Sequence, residues 1–177
     1  KQLMFPLLFI LLMKKIIYII PGHGEDCRLA RYQKLATTLQ NQGYKINCVN
    51  PDWYKPLSGE VINVEKDAII FGFSFGAVLA YLIAQKYLCR KVIFGSISPI
   101  HQFSFKSLVN DLREHMSKVL AEEIASDIKS IKISLRSLKV PFVTISGQSE
   151  KMKADFLVPK TGHRLTPAYI KCIKNLV

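Results

Sequence analysis

Acidic residues are scarce in this sequence. There are 13 Asp and Glu against 25 Lys and Arg, a net charge of +12. A basic chain can bind nucleic acid or an anionic membrane surface. Here, however, the cations are spread along the sequence. The only tight pairs are Lys14-Lys15 and Arg90-Lys91, and no block forms a basic arm. A basic, solvated surface is therefore the reading, and no nucleic-acid partner is expected. Cysteine is also sparse. Cys27, Cys48, Cys89 and Cys172 lie far apart with no C-x-x-C pair, which excludes a disulfide scaffold and a thiolate zinc site. Reduced, mostly buried thiols are expected, with no metal and no cofactor. Internal repeats, linkers and low-complexity tracts are missing, so one domain is expected. Long apolar runs are missing too. The longest, residues 3–13, is broken by Pro6 and falls well short of the roughly 20 residues that span a bilayer.

That apolar run has the length of a signal-peptide core, but no small-x-small cleavage site follows it. Lys14-Lys15 comes next, then strand-like Ile16–Ile20, with Met13 just before. The expectation is that residues 1–12 are an extension outside the fold and that 13–177 form one cytoplasmic domain. The alternative is an exported or membrane-associated protein in which residues 1–12 act as a signal or anchor.

Apolar residues make up 49% of the chain, enough for a sizeable core. They fall into alternating strand-like and helix-like segments. Ile16–Ile20 is a continuous apolar run ending in Pro-Gly, the pattern of a strand buried on both faces. Leu29–Gln42 carries apolar residues at helical spacing, and Gly43 ends it. Strands are expected at Tyr44–Val49, Ala68–Phe73, Lys91–Phe94, Val140–Ser146 and Asp155–Val158. A strongly apolar helix is expected over Gly76–Tyr87. A mostly helical, charged and amphipathic stretch is expected over Phe105–Leu138, as one helix or two. Residues 53–66 have no clear period and suggest a loop with at most a short helix. Thr166-Pro167 opens a last helix as N-cap and N1. Strict alternation implies an α/β fold, doubly wound, with a mostly parallel six-stranded sheet and helices on both faces.

The chemistry falls at strand ends. Gly72-Phe73-Ser74-Phe75-Gly76 is a G-x-S-x-G motif between an apolar strand and an apolar helix. A sharp strand-to-helix turn needs glycine on both sides and pushes Ser74 Oγ into the open. It also sets the Phe75 amide at a helix N-terminus, where it can stabilise an oxyanion. A serine nucleophile needs a base, and hydrolases of this kind take their partners in the order Ser, acid, His. Of the later histidines, His101 is too near Ser74 in the chain and His115 lies in the charged amphipathic stretch. His163 sits in a loop between the last strand and the last helix and fits. Glu150, the first carboxylate after Val140–Ser146, is the favoured acid. Asp155 is nearer His163 but opens the next strand, and stays as the competing candidate. The Pro21-Gly22-His23-Gly24 loop after the first strand offers a second amide donor at His23 or Gly24, and Gly22 and Gly24 let it approach a ligand.

These motifs together resemble a small α/β-hydrolase, over about residues 14–177. The resemblance rests on Pro-Gly-His-Gly after the first strand, on Tyr32, Leu35, Leu39 and Gly43-Tyr44, and on Asn50-Pro51-Asp52. It rests also on the Ser74 motif with Ala77, on Gly147-x-x-Glu150 and on Gly162-His163. It implies Ser74 as nucleophile, His163 as base, Glu150 as acid, and the Phe75 and His23 amides as an oxyanion hole. It further implies strand order 2-1-3-4-5-6. Residues 99–138 would form a small helical insertion or cap, with Ile100, Phe103, Phe105 and Leu108 contributing to an apolar acyl pocket. The chain departs from the family pattern in four places. The usual opening antiparallel strands have no counterpart, the helix between the second and third strands is shortened or lost, only twelve residues separate Glu150 from His163 where a helix usually intervenes, and the acid is Glu where Asp is more frequent. The expected function is hydrolysis of a small-molecule carboxylic ester or thioester through an acyl-enzyme on Ser74. The alternative is a binding or scaffold protein on a weak or inactive hydrolase fold.

Overall fold

A computed structural model of the protein describes residues 15–177. The expected N-terminal extension, residues 1–12, lies outside the described residues. Six parallel strands form one sheet: β1 (Ile16–Ile20), β2 (Lys45–Cys48), β3 (Ile69–Phe73), β4 (Lys91–Gly95), β5 (Phe142–Gly147) and β6 (Phe156–Val158). Their order is β2-β1-β3-β4-β5-β6. Every residue of β1 and β3 is buried. A strand covered on both faces has no solvent side, so its sequence is apolar throughout rather than alternating.

Alternate β1 side chains go to opposite layers. Ile17 and Ile19 pack with α1 (Ala30–Gln40) and α5 (Pro167–Lys174) on one face. Ile16, Tyr18 and Ile20 pack with α2 (Phe75–Lys86) on the other. Helix α1 presents Tyr32, Leu35, Ala36 and Leu39 to the sheet, and closes as the glycine pattern predicts. The Gly43 amide donates to Gln40 O at 2.8 Å and the Tyr44 amide to Leu39 O at 3.2 Å, with Gly43 at φ 86°. That pair of bonds satisfies the last carbonyls and requires a residue at ease in the left-handed region. Leu35 is fully buried in this layer. We expect Leu35→Ala to destabilise the fold by about 2–5 kcal/mol, read as a lower denaturant midpoint at unchanged slope.

The charged stretch after β4 is two helices, the second of the two expected arrangements. These are α3 (Phe105–Arg113) and α4 (Lys118–Ser130). Ser104 and Ser117 each accept a bond from the amide three residues on, at 3.0 and 3.4 Å, so each starts a helix of its own. His115 is therefore an exposed residue of the turn between them, and residues 131–139 hold only a short 3₁₀ turn at Leu135–Ser137. Leu108, Leu112, Ile124 and Ile128 of these helices pack with Trp53, Leu57 and Val78, on the outer side of α2. Between β2 and β3 the only regular element is a 3₁₀ turn, Leu57–Glu60. The four cysteines are free: Cys27 and Cys89 are buried, Cys172 is half-buried and Cys48 is exposed. Among the described residues no helix is long and apolar enough to cross a membrane.

Candidate active site

The β1 chain turns to β2 on one side of the sheet, while β3 lies on its other side. Such a switch point opens a crevice beyond the C-terminal strand ends, and the candidate residues collect there. Ser74 follows β3, at φ 56° and ψ −118°. That conformation is costly for a residue with a side chain and persists only where the surroundings enforce it. They do so through backbone contact. A Cβ on Gly72 would overlap the Gly76 carbonyl, and a Cβ on Gly76 would overlap the Pro21 and Ile20 carbonyls. The Ser74 amide donates to Gly95 O at 2.8 Å, anchoring the turn to β4. Ser74 occupies the N-cap position of α2, yet its hydroxyl makes no capping bond.

Instead Ser74 Oγ lies 2.9 Å from His163 Nε2, and His163 Nδ1 lies 2.8 Å from Glu150 Oε2. The His163 loop is held by the turn before it. Gly147 has no room for a Cβ beside the Thr161 and Gly162 carbonyls, and the Ser149 amide donates to Thr161 O at 3.0 Å. The imidazole also rests against Phe73, with ring centroids 5.2 Å apart. His163 keeps 48% of its side chain exposed, whereas the Glu150 side chain keeps 8%. Asp155 is not in this group. Its carboxylate accepts from the Thr144 amide and hydroxyl at 2.8 and 2.9 Å, which ties it to β5.

Glu150 has partners that sequence reasoning missed. Its Oε1 accepts from Ser96 Oγ at 2.6 Å and from the Gly147 amide at 2.7 Å. Ser96 is fully buried, at φ 44° just past β4, and lies 3.1 Å from the Tyr169 hydroxyl, which donates to Ile145 O. Burial alone pushes the Glu150 carboxyl up, but the bonds from Ser96, His163 and Gly147 outweigh it and leave the carboxyl below its usual range. A carboxyl depressed on folding adds stability above its unfolded value, about 4.3, and that stability is lost as pH falls toward the folded value. Ser96→Ala removes one of the bonds. The wild type should exceed it by about 1.5–3 kcal/mol near neutral pH, with the gap closing on acidification. Unfolding midpoints measured against pH test this, and a gap independent of pH would refute it.

The β1 loop sits against the serine. A Cβ on Gly22 would come 3.3 Å from Ser74 Cβ. The Gly22 amide is taken by the Tyr32 hydroxyl at 3.1 Å, and Tyr32 in turn donates to Glu25 at 2.5 Å. Among the described residues the His23 and Phe75 amides bond to nothing. Phe75 opens α2, where the first N–H groups have no intrahelical acceptor. The His23 ring packs against Trp53 and Phe75, and this partial burial, with the nearby His115, lowers its pKa.

No protein-family model and no curated protein matches the sequence. Solved structures do. Mouse alpha/beta hydrolase domain-containing protein 10 superposes with a TM-score of 0.60 at 13% identity, covering 91% of this chain and 87% of that one. A lipase-esterase related protein from Clostridium acetobutylicum gives 0.58 at 15% identity, covering 92% and 94%. The RedJ thioesterase of the prodiginine pathway in Streptomyces coelicolor gives 0.52 at 15% identity, covering 92% and 88%. The chain has the α/β-hydrolase fold.

In this α/β-hydrolase fold two hollows flank the Ser74–His163 pair. On the side of the His23 and Phe75 amides lies an apolar cavity of about 170 Å³, lined by Trp53, Phe75, Phe103, Leu108 and Ile128 among others. Phe103 stacks on Phe75 with the rings 3° from parallel. Ile100, expected to line the same pocket, does not. It is 1% exposed and packs in the buried cluster with Leu108, Ile124 and Ile128, and Phe105, expected there too, is 46% exposed and outside the lining. Gly24, at φ 69°, lines an outer cleft with His23 and His115. On the side of His163 is a wider cleft of about 710 Å³. Among the described residues no cluster of three or more His, Cys, Asp or Glu is arranged to hold a metal ion.

Proposed function

We propose that the protein is a serine hydrolase that cleaves carboxylic ester or thioester bonds through an acyl-enzyme on Ser74. The observation that carries this reading is the unbroken hydrogen-bonded chain from Ser74 Oγ through His163 to Glu150. Ser74 Oγ attacks the acyl carbon as His163 Nε2 takes its proton. Negative charge then develops on the former carbonyl oxygen, and the unpaired His23 and Phe75 amides are its donors. Collapse of this intermediate breaks the bond to the leaving oxygen or sulfur, which departs with the proton held by His163. Water next attacks the acyl-enzyme, again giving its proton to His163, and collapse breaks the bond to Ser74 Oγ, which takes that proton back as the carboxylic acid leaves. Glu150 fixes the imidazole tautomer and stabilises the imidazolium. Residues 99–138 serve as a small cap, and the 170 Å³ cavity beneath it receives the acyl group. A panel of esters and thioesters of increasing acyl length tests the assignment. Turnover of short and medium acyl groups, lost in His163→Ala, is expected. A folded wild type that turns over none of them and resists fluorophosphonate would refute it.

A further inference from the structure

The two hollows beside Ser74 differ in more than size. The group that His163 protonates must leave on the His163 side, so the 710 Å³ cleft belongs to the leaving half of the substrate. A hollow of that size takes a ligand of cofactor or drug dimensions, far more than a short-chain alcohol needs.

Its charge is also lopsided. The cleft is lined by Ser98, Gln102, Met152, Lys151, Lys153 and the catalytic pair His163 and Glu150, with apolar residues beneath. Its one carboxylate, Glu150, has both oxygens engaged by Ser96, Gly147 and His163. Lys151 and Lys153 are exposed and, among the described residues, pair with no carboxylate. Across the site the flank is different. Glu25, Asp26 and Asp52 each pair with a cation, to Arg31, Arg28 and Lys55, and Asp111 adds an unpaired carboxylate. Lys151 and Lys153 therefore leave two uncompensated positive charges on the leaving-group cleft, while the charged residues lining the acyl cavity, Lys55 and Asp111, balance.

We propose that the leaving half is a large, phosphate-bearing thiol, held through its phosphates by Lys151 and Lys153, and that the protein is a thioesterase for acyl thioesters of such a thiol. The proposal rests on the serine-hydrolase reading above. Lysines act on phosphate as flexible point charges, so the preference must be electrostatic and salt-sensitive.

The test compares hexanoyl-coenzyme A with the hexanoyl thioester of N-acetylcysteamine, which has the same reacting bond and no phosphate. The readout is the ratio of their kcat/KM values, which is internal to each preparation and independent of how much of it is folded. In the wild type at low salt the ratio should be about 10 or more and should fall toward 1 as salt screens the lysines. Lys151→Gln/Lys153→Gln should lower it by about tenfold, and Lys151→Arg/Lys153→Arg, which keeps the charge, should restore it. A wild-type ratio near 1, or a ratio the same in the Gln pair, overturns the proposal. So does fluorophosphonate labelling of Ser74 with neither thioester hydrolysed, an outcome that spares the serine-hydrolase reading. Absence of labelling in a folded wild type overturns both.

Discussion

Replacing Ser74 with alanine is expected to abolish labelling by a fluorophosphonate and to lower ester or thioester turnover by about 10⁴-fold or more. The effect is this large because the hydroxyl is the bond-forming atom, and His163 and Glu150 act only through it. His163→Ala should lose labelling as well, since without the base at 2.9 Å the hydroxyl is an ordinary alcohol. The two losses should not add in the double variant, because the residues work as one unit. The backbone at this position adds a second readout. At φ 56° an alanine inherits the strain of the native serine, whereas glycine relieves it. Ser74→Gly should therefore melt above Ser74→Ala, by about 2–4 °C for a difference near 1 kcal/mol. Labelling that persists in Ser74→Ala would place the reactive group elsewhere. Equal melting temperatures would mean that the turn is not strained.

Gly76→Ala is expected to produce the largest stability loss of any single methyl added to this chain. The new Cβ would overlap two carbonyl groups at the end of β1, Pro21 O and Ile20 O. Backbone atoms in a buried parallel strand cannot swing aside as a side-chain tip can, so α2 must move away from β1. We expect a cost of about 4 kcal/mol or more, equivalent to a fall of roughly 10 °C in melting temperature. That displacement would also part the Phe75 amide from the β1 loop, so any surviving folded protein should label slowly. Gly59→Ala is the control. Nothing lies within 4 Å of its would-be Cβ, and it should stay within about 0.5 kcal/mol of wild type. Thermal unfolding of the two variants side by side decides the matter. Similar melting temperatures would show that α2 and β1 are less tightly joined than the contact implies.

Much of the fold was legible because it is written in short-range patterns. A strand buried on both faces must be apolar at every residue, as Ile16–Ile20 is. A helix on a sheet must repeat its apolar residues at 3.6, as Tyr32, Leu35, Ala36 and Leu39 do. The turn at Ser74 needs Gly72 for a local reason, since a Cβ there meets the Gly76 carbonyl, whereas Gly76 is required by the end of β1. The serine caps that separate α3 from α4 are equally local, at Ser104 and Ser117, although the amphipathic period runs through the break and left one helix or two open.

The surroundings of Glu150 were not legible. Ser96 and Tyr169 are separated by 73 residues and meet at Glu150 only because β4 and β5 are neighbours. Ser96 sits at a positive φ that favours glycine, so nothing in its residue type marks it. Asp155 shows the same limit from the other side. Its place in the chain, nearer His163 but opening the next strand, made it the competitor of Glu150, and the pairing of β5 with β6 turns its carboxylate onto Thr144.

The sequence by itself determined which segments are strands and helices, and that a serine stands on a sharp turn at one strand end. Those properties depend on residues within a turn or two of each other. Tertiary structure decided between Glu150 and Asp155 as the carboxylate beside His163, placed Ser96 and Tyr169 behind it, and set Lys151 and Lys153 on one side of the site and Asp111 on the other. Those depend on the order in which the strands pair, which brings together residues that no local pattern connects.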